Sequence, residues 1–122
     1  MIALNKIPII QLKENLMISI QDDIYDEMVI SLQNDILDNI RKKGSKGLII
    51  DISALNIVDS FIGRTLGNIA SMAKLMGART VLVGVQPEVA ITMVELGLEL
   101  GNISTAKDVD KALKVIGNKN AL

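Results

Sequence analysis

The stretch "GLIIDISALNIVDSFIGRTLGNIASMAKLMGARTVLVGV", residues 47–85, decides the fold. It begins and ends on two short apolar runs, GLIIDI (Gly47–Ile52) and TVLVGV (Thr80–Val85). Neither alternates with polar residues. Continuous runs of this length are expected of central strands covered by helices on a face they share. The segment between them keeps the other period. Ile62, Leu66, Ile69, Ala73 and Met76 line one side of a helix from Ser60 to about Met76, which Gly77 ends. Strand, helix, strand is the unit of a sheet with helices packed on it.

Working outward, IPIIQL and LMISIQ are two apolar runs joined by the polar KEN, which predicts a hairpin at the start, and Pro8 favours the edge of the sheet. A helix follows, with Ile24, Met28, Leu32, Ile36 and Ile40 recurring every four residues and Val29 and Leu37 widening the stripe. Asp22, Asp23, Asp26 and Glu27 crowd its start and Arg41, Lys42 and Lys43 its end, which complements the helix dipole, and Gly44 supplies a stop. Beyond the second central strand, Pro87 opens a helix through Leu96 with Gly97 after it. GNISTA (Gly101–Ala106) adds a short strand. A last helix from Asp108 to about Ile116 presents Val109, Ala112, Leu113 and Ile116 on one face. The expectation is a single α/β domain over residues 3–117, with a mixed sheet and about four helices, followed by a frayed tail at 118–122.

Composition removes many functions. At 122 residues the chain is one ordinary domain, and its 49% hydrophobic share is high enough to expect some apolar surface to meet a partner. The longest uncharged run, the nine residues Thr65 to Ala73, falls far short of the ~18 that a membrane span needs. No secretion signal is visible at the start, which places the chain in the cytoplasm by default. With no cysteine and no histidine there are no disulfides, no Cys/His zinc site, no thiol nucleophile and no histidine acid-base pair. Net charge is -1, and Tyr25 and Phe61 are the only aromatics, so nucleic acid finds neither a basic stripe nor a stacking platform.

Asp22, Asp23 and Asp51 each follow an apolar strand and resemble the acidic residues of response-regulator receiver domains. The spacing argues against that reading, since only one helix separates Asp23 from Asp51. No phosphate-binding GxxxxGK[ST] is present, and Gly63 and Gly67 lie inside a helix instead of a strand-to-helix loop. An enzyme has no motif to support it, and no cofactor or metal site is expected.

The candidate site is the start of the helix at Ser60. The apolar stripe holds the helix at ~1.5–3 kcal/mol per buried side chain, which outweighs a cap worth ~0.5–2 kcal/mol. Ser60 is therefore expendable for folding and free for another role. It is either only a helix cap or also a switch, because a phosphate there would add about -1.5 to -2 charges beside Asp59 while the helix dipole favours it. A second stripe of Phe61, Thr65, Asn68, Met72 and Leu75 is either a partner surface or covered by a neighbouring helix. Gly63 and Gly67 share another side, where something approaches closely: the domain's own loop or a partner.

The segment Asp59–Leu98, "DSFIGRTLGNIASMAKLMGARTVLVGVQPEVAITMVELGL", with KIPIIQL and LMISIQ near the start, resembles the STAS-domain scaffold proteins of bacterial stressosomes, within the anti-sigma factor antagonist family. The likeness covers nearly the whole chain. Asp-Ser at a helix start is shared broadly among STAS antagonists, while DSFI, AKLMGA and VQPEVAITMVELG are closer to the scaffold group. Simple antagonists continue Asp-Ser with a small residue and glycine, whereas Phe61 and Ile62 intervene here before Gly63. That departure puts direct binding of an anti-sigma kinase second. The resemblance implies a non-catalytic scaffold that forms homo- and hetero-oligomers with RsbR-type STAS proteins and holds an RsbT-type serine kinase. It matches Ser60 to the family's phosphorylated serine, reset by a PP2C-type phosphatase, and gives the stripe read from the helical wheel a use as an assembly or kinase-docking surface, with Asp59, Phe61, Thr65, Asn68 and Met72 as the expected partner-binding residues.

Overall fold

The computed structural model describes residues 7–21, 24–97 and 101–117. Asp22, Asp23 and the tail at 118–122 lie outside them. The hairpin forms from β1 (Ile9–Leu12) and β2 (Asn15–Ser19), paired antiparallel with Leu12 opposite Asn15. Its loop is two residues, Lys13 and Glu14, with Lys13 at φ 57, and not the three of KEN. Asn15 belongs to the strand.

α1 (Asp26–Lys43) follows and buries Val29, Leu32, Ile36 and Ile40. It starts later than its acidic residues suggest, so Ile24 packs on the core from the approach to the helix and not from within it. Gly44 ends it in the left-handed region at φ 63, where its N–H reaches Ile40 O at 2.8 Å. The chain continues through β3 (Gly47–Asp51), α2 (Ser60–Leu75), β4 (Arg79–Val83), α3 (Pro87–Glu95), β5 (Ile103–Ala106) and α4 (Val109–Gly117). The five strands lie in the order β1-β2-β3-β4-β5, with β2 to β5 mutually parallel. This is the expected mixed sheet with four helices. A receiver would place its second strand outside the first, in the order 2-1-3-4-5.

The apolar runs are explained by burial on both faces of the sheet. Leu16, Ile18, Leu48, Ile50 and Leu82 point to the side covered by α1, α2 and α3. Ile49, Val81 and Val83 point to the opposite side, against Ala112 of α4 and its neighbours Val109, Leu113 and Ile116. The strands are therefore not covered on one shared face alone; α4 closes the second. Gly47 lets α4 come that close, since a Cβ there would lie 2.5 Å from Ile116 Cδ1. Asp108 caps α4 by accepting from Lys111 N at 2.9 Å, and that backbone N–H, with the Lys111 ammonium, holds its carboxyl below the usual range. Among the described residues no helix is long and apolar enough to cross a membrane.

Candidate functional site

The site is built at the carboxyl end of the parallel strands, where β3 gives way to α2. Three apolar side chains of the connecting loop, Ile52, Leu55 and Val58, are buried in the core, which fixes the loop from beneath. The Asp51 carboxylate accepts from Ser53 N at 2.9 Å, and Gln86 Nε2, from the loop after β4, donates to Ser53 O at 2.6 Å. Gly84 approaches from the same side at φ 75, where a Cβ would stand 2.6 Å from Ser53 Cβ. Two loops thus hold each other in place. Ile57, between these anchors and Asp59, is 83% exposed.

Asp59, not Ser60, caps the helix. Its backbone is extended at φ -84 and ψ 175, and its Oδ1 accepts from Ile62 N at 2.8 Å. Its carbonyl accepts from Gly63 N at 2.9 Å. Ser60, a partly exposed residue, is the first within the helix, and its hydroxyl accepts from Arg64 Nη2 at 3.5 Å. The expectation of Ser60 as the cap is corrected, for a physical reason: one carboxylate already occupies the cap position. The Ser60 side chain is left out of the cap.

The second helical stripe does not stay together as a surface. Thr65 is 4% exposed and its hydroxyl donates to Phe61 O at 2.8 Å within the helix, so it has no face to offer a partner. Phe61 is half-buried and packs on the core. Asp59 and Asn68 are exposed, Met72 is half-buried, and Leu75 is 89% exposed at the far end. α1 packs against α2.

Gly63 and Gly67 border a groove of about 420 Å³ whose lining also includes Leu96, Gly97, Gly101 and Asn102. Asn102 spans it, donating to Ser71 Oγ at 2.9 Å and accepting from Lys74 Nζ at 3.2 Å. Asn102 thus fastens to Ser71 and Lys74 of α2, and the groove itself stays open beside the two glycines. Arg64 sits on the rim of the same groove. Sequence reasoning passed over this arginine, although its position four residues after Ser60 places it on the same helical face. Among the described residues no group of three acidic side chains is placed to hold a metal.

Comparison with known proteins gives concordant results. The pattern of the STAS domain matches residues 6–112. The RsbT co-antagonist protein RsbRD of Bacillus subtilis is 38% identical over 72 residues, 59% of this chain and 26% of that protein, so the chain spans about a quarter of that relative's length. Among solved structures, RsbS of Moorella thermoacetica, carrying a serine-to-glutamate exchange, is 38% identical with a TM-score of 0.82, over 95% of this chain and 98% of that one. A chain from a structure of the stressosome, a signal integration and transduction hub, is 39% identical with a TM-score of 0.80, over 94% of this chain and 100% of that one.

Proposed function

Because this chain belongs to the STAS domain family, among its anti-sigma factor antagonists and stressosome-type scaffolds, we propose that it is a non-catalytic platform holding an RsbT-type serine kinase. Phosphorylation of Ser60 releases the kinase. The observation that carries this reading is the division of labour at the start of α2: Asp59 caps the helix and leaves the Ser60 side chain out of the cap, on a partly exposed residue at the head of the helix, just after an anchored loop. A kinase needs an accessible hydroxyl on a backbone that does not collapse when charged. In the transfer, the bond from Ser60 Oγ to the γ-phosphorus of ATP forms as the bond to the ADP oxygen breaks, and the hydroxyl proton passes to a base supplied by the kinase. The domain itself has no reason to refold, since the helix N-terminus favours added negative charge. A kinase docked over Asp59, Ser60, Phe61 and the exposed Ile57 would meet about -1.5 to -2 new charges at its interface.

The kinship supports the remaining partners of this proposal. RsbRD is named as a co-antagonist of RsbT, which supports an RsbR-type protein as co-scaffold and RsbT-type as the class of kinase. Moorella RsbS was solved with glutamate in place of a serine, an exchange that puts a carboxylate where a hydroxyl stood. Hetero-oligomers with an RsbR-type protein and resetting by a PP2C-type phosphatase complete the cycle.

The test is incubation with the kinase and ATP, then site mapping by mass spectrometry. A single acid-stable phosphate on Ser60 is expected, with Ser60→Asp weakening kinase capture and Ser60→Ala retaining it. Phosphate on Asp51, or equal capture by both variants, would refute the switch.

A further inference from the structure

Arg64 brings a cationic nitrogen within reach of the proposed switch, and nothing in that mechanism yet uses it. It stands one helical turn beyond Ser60, and its Nη2 is 3.5 Å from Ser60 Oγ. It forms no ion pair with a carboxylate among the described residues, in contrast with Arg41 and Lys42, which share Asp38, and Lys111, which pairs with Asp108. The nearest acid in sequence, Asp59, turns one carboxylate oxygen inward to Ile62 N. A neutral hydroxyl at the long limit of a hydrogen bond satisfies little of a guanidinium that carries five N–H donors. A phosphoryl group on the same oxygen would present acceptor oxygens one bond further out, toward that fork, and supply the charge that makes such bonds strong.

We propose that Arg64 is the built-in receptor of the phosphate on Ser60, drawing it onto the helix flank toward the groove beside Gly63 and Gly67. This rests on Ser60 being the modified residue. Two consequences separate it from a simple exposed phosphoserine. Arg64 cancels one unit of the new charge and opposes the repulsion from Asp59, so phosphorylation raises the stability of the free domain. The phosphate also gains a fixed direction, and the partner reads a positioned group in place of a rotating one.

The experiment uses the full chain with phosphoserine placed at position 60 by genetic encoding, which makes it independent of any kinase. Melting temperatures at low salt are compared for phosphorylated and unphosphorylated forms of the wild type, Arg64→Ala and Arg64→Lys. Phosphorylation is expected to raise the wild-type Tm by about 3 °C. Arg64→Lys should keep part of that gain and Arg64→Ala should lose it, while the unphosphorylated variants melt with the wild type. The Arg64 Nε–H resonance should move downfield on phosphorylation. An equal phosphate effect with and without Arg64, or a lowered wild-type Tm, overturns the proposal while leaving the kinase switch standing. A kinase that fails to label Ser60 overturns the switch and leaves this comparison readable.

Discussion

Asp59 and Ser60 are adjacent, both are good cap residues, and one helical start cannot use both side chains in the same place. The carboxylate takes the cap, with Oδ1 on Ile62 N at 2.8 Å. Sequence locates the helix start but not its phase, since a shift of one residue exchanges the two roles and leaves the apolar stripe almost unchanged. The same limit explains Thr65: on a wheel it joins Phe61 and Asn68, but its depth depends on what packs over α2, which no local pattern records. Asp59→Ala should cost ~0.5–2 kcal/mol, as for other lost caps, and Ser60→Ala should stay within about 0.5 kcal/mol of wild type. Thermal denaturation of both decides the matter; a larger loss from Ser60→Ala would return the cap to the serine.

At the scale of elements, the helices and strands of residues 47–85 were legible because each period persists over its whole length. The strand in GNISTA was legible too, although it is only Ile103–Ala106. The second face of the sheet was not. A run such as GLIIDI is apolar enough for both faces to be covered but does not say by what, and only the position of α4 against Ile49, Val81 and Val83 shows it. The contact between the loops after β3 and β4 was equally hidden, because Gly84 and Ser53 are far apart in sequence. Gly84 combines φ 75 with a Cβ position 3.1 Å from Ser53 Cα and 3.2 Å from Ser53 N, backbone atoms that cannot turn aside. Gly84→Ala should therefore destabilise by ~1–3 kcal/mol and shift the amide resonances of the loop before Asp59. Urea denaturation and amide spectra check this; an unperturbed loop would mean that the two segments do not hold each other.

For the whole molecule, one principal core joins α1, α2 and α3 to the sheet, and residues fully buried there set the stability. Leu66→Ala should cost ~2–5 kcal/mol out of a typical ~5–15 kcal/mol and still unfold in a single transition, as read by urea denaturation with two probes. Separate transitions by the two probes would mean that the helices and the sheet do not melt as a unit. The high apolar content led to an expectation of surface left for partners. The structure spreads that surface over separate elements, with Ile57, Leu75 and Val94 each more than 80% exposed in the loop before α2, at the end of α2 and on α3. Composition gives an amount and carries no address, which only the fold supplies.

The strand order has a consequence for biosynthesis. Because β1 to β5 are laid down from one edge of the sheet to the other in the order they occur in the chain, each strand leaving the ribosome finds its pairing edge already made. No gap has to be kept open for a later segment. N-terminal portions can begin to assemble during translation, at about 5–20 residues per second, and the Ser60 loop is seated only when Gln86 and Gly84 arrive behind it. A nascent chain cut before that point would offer its serine on an unanchored loop.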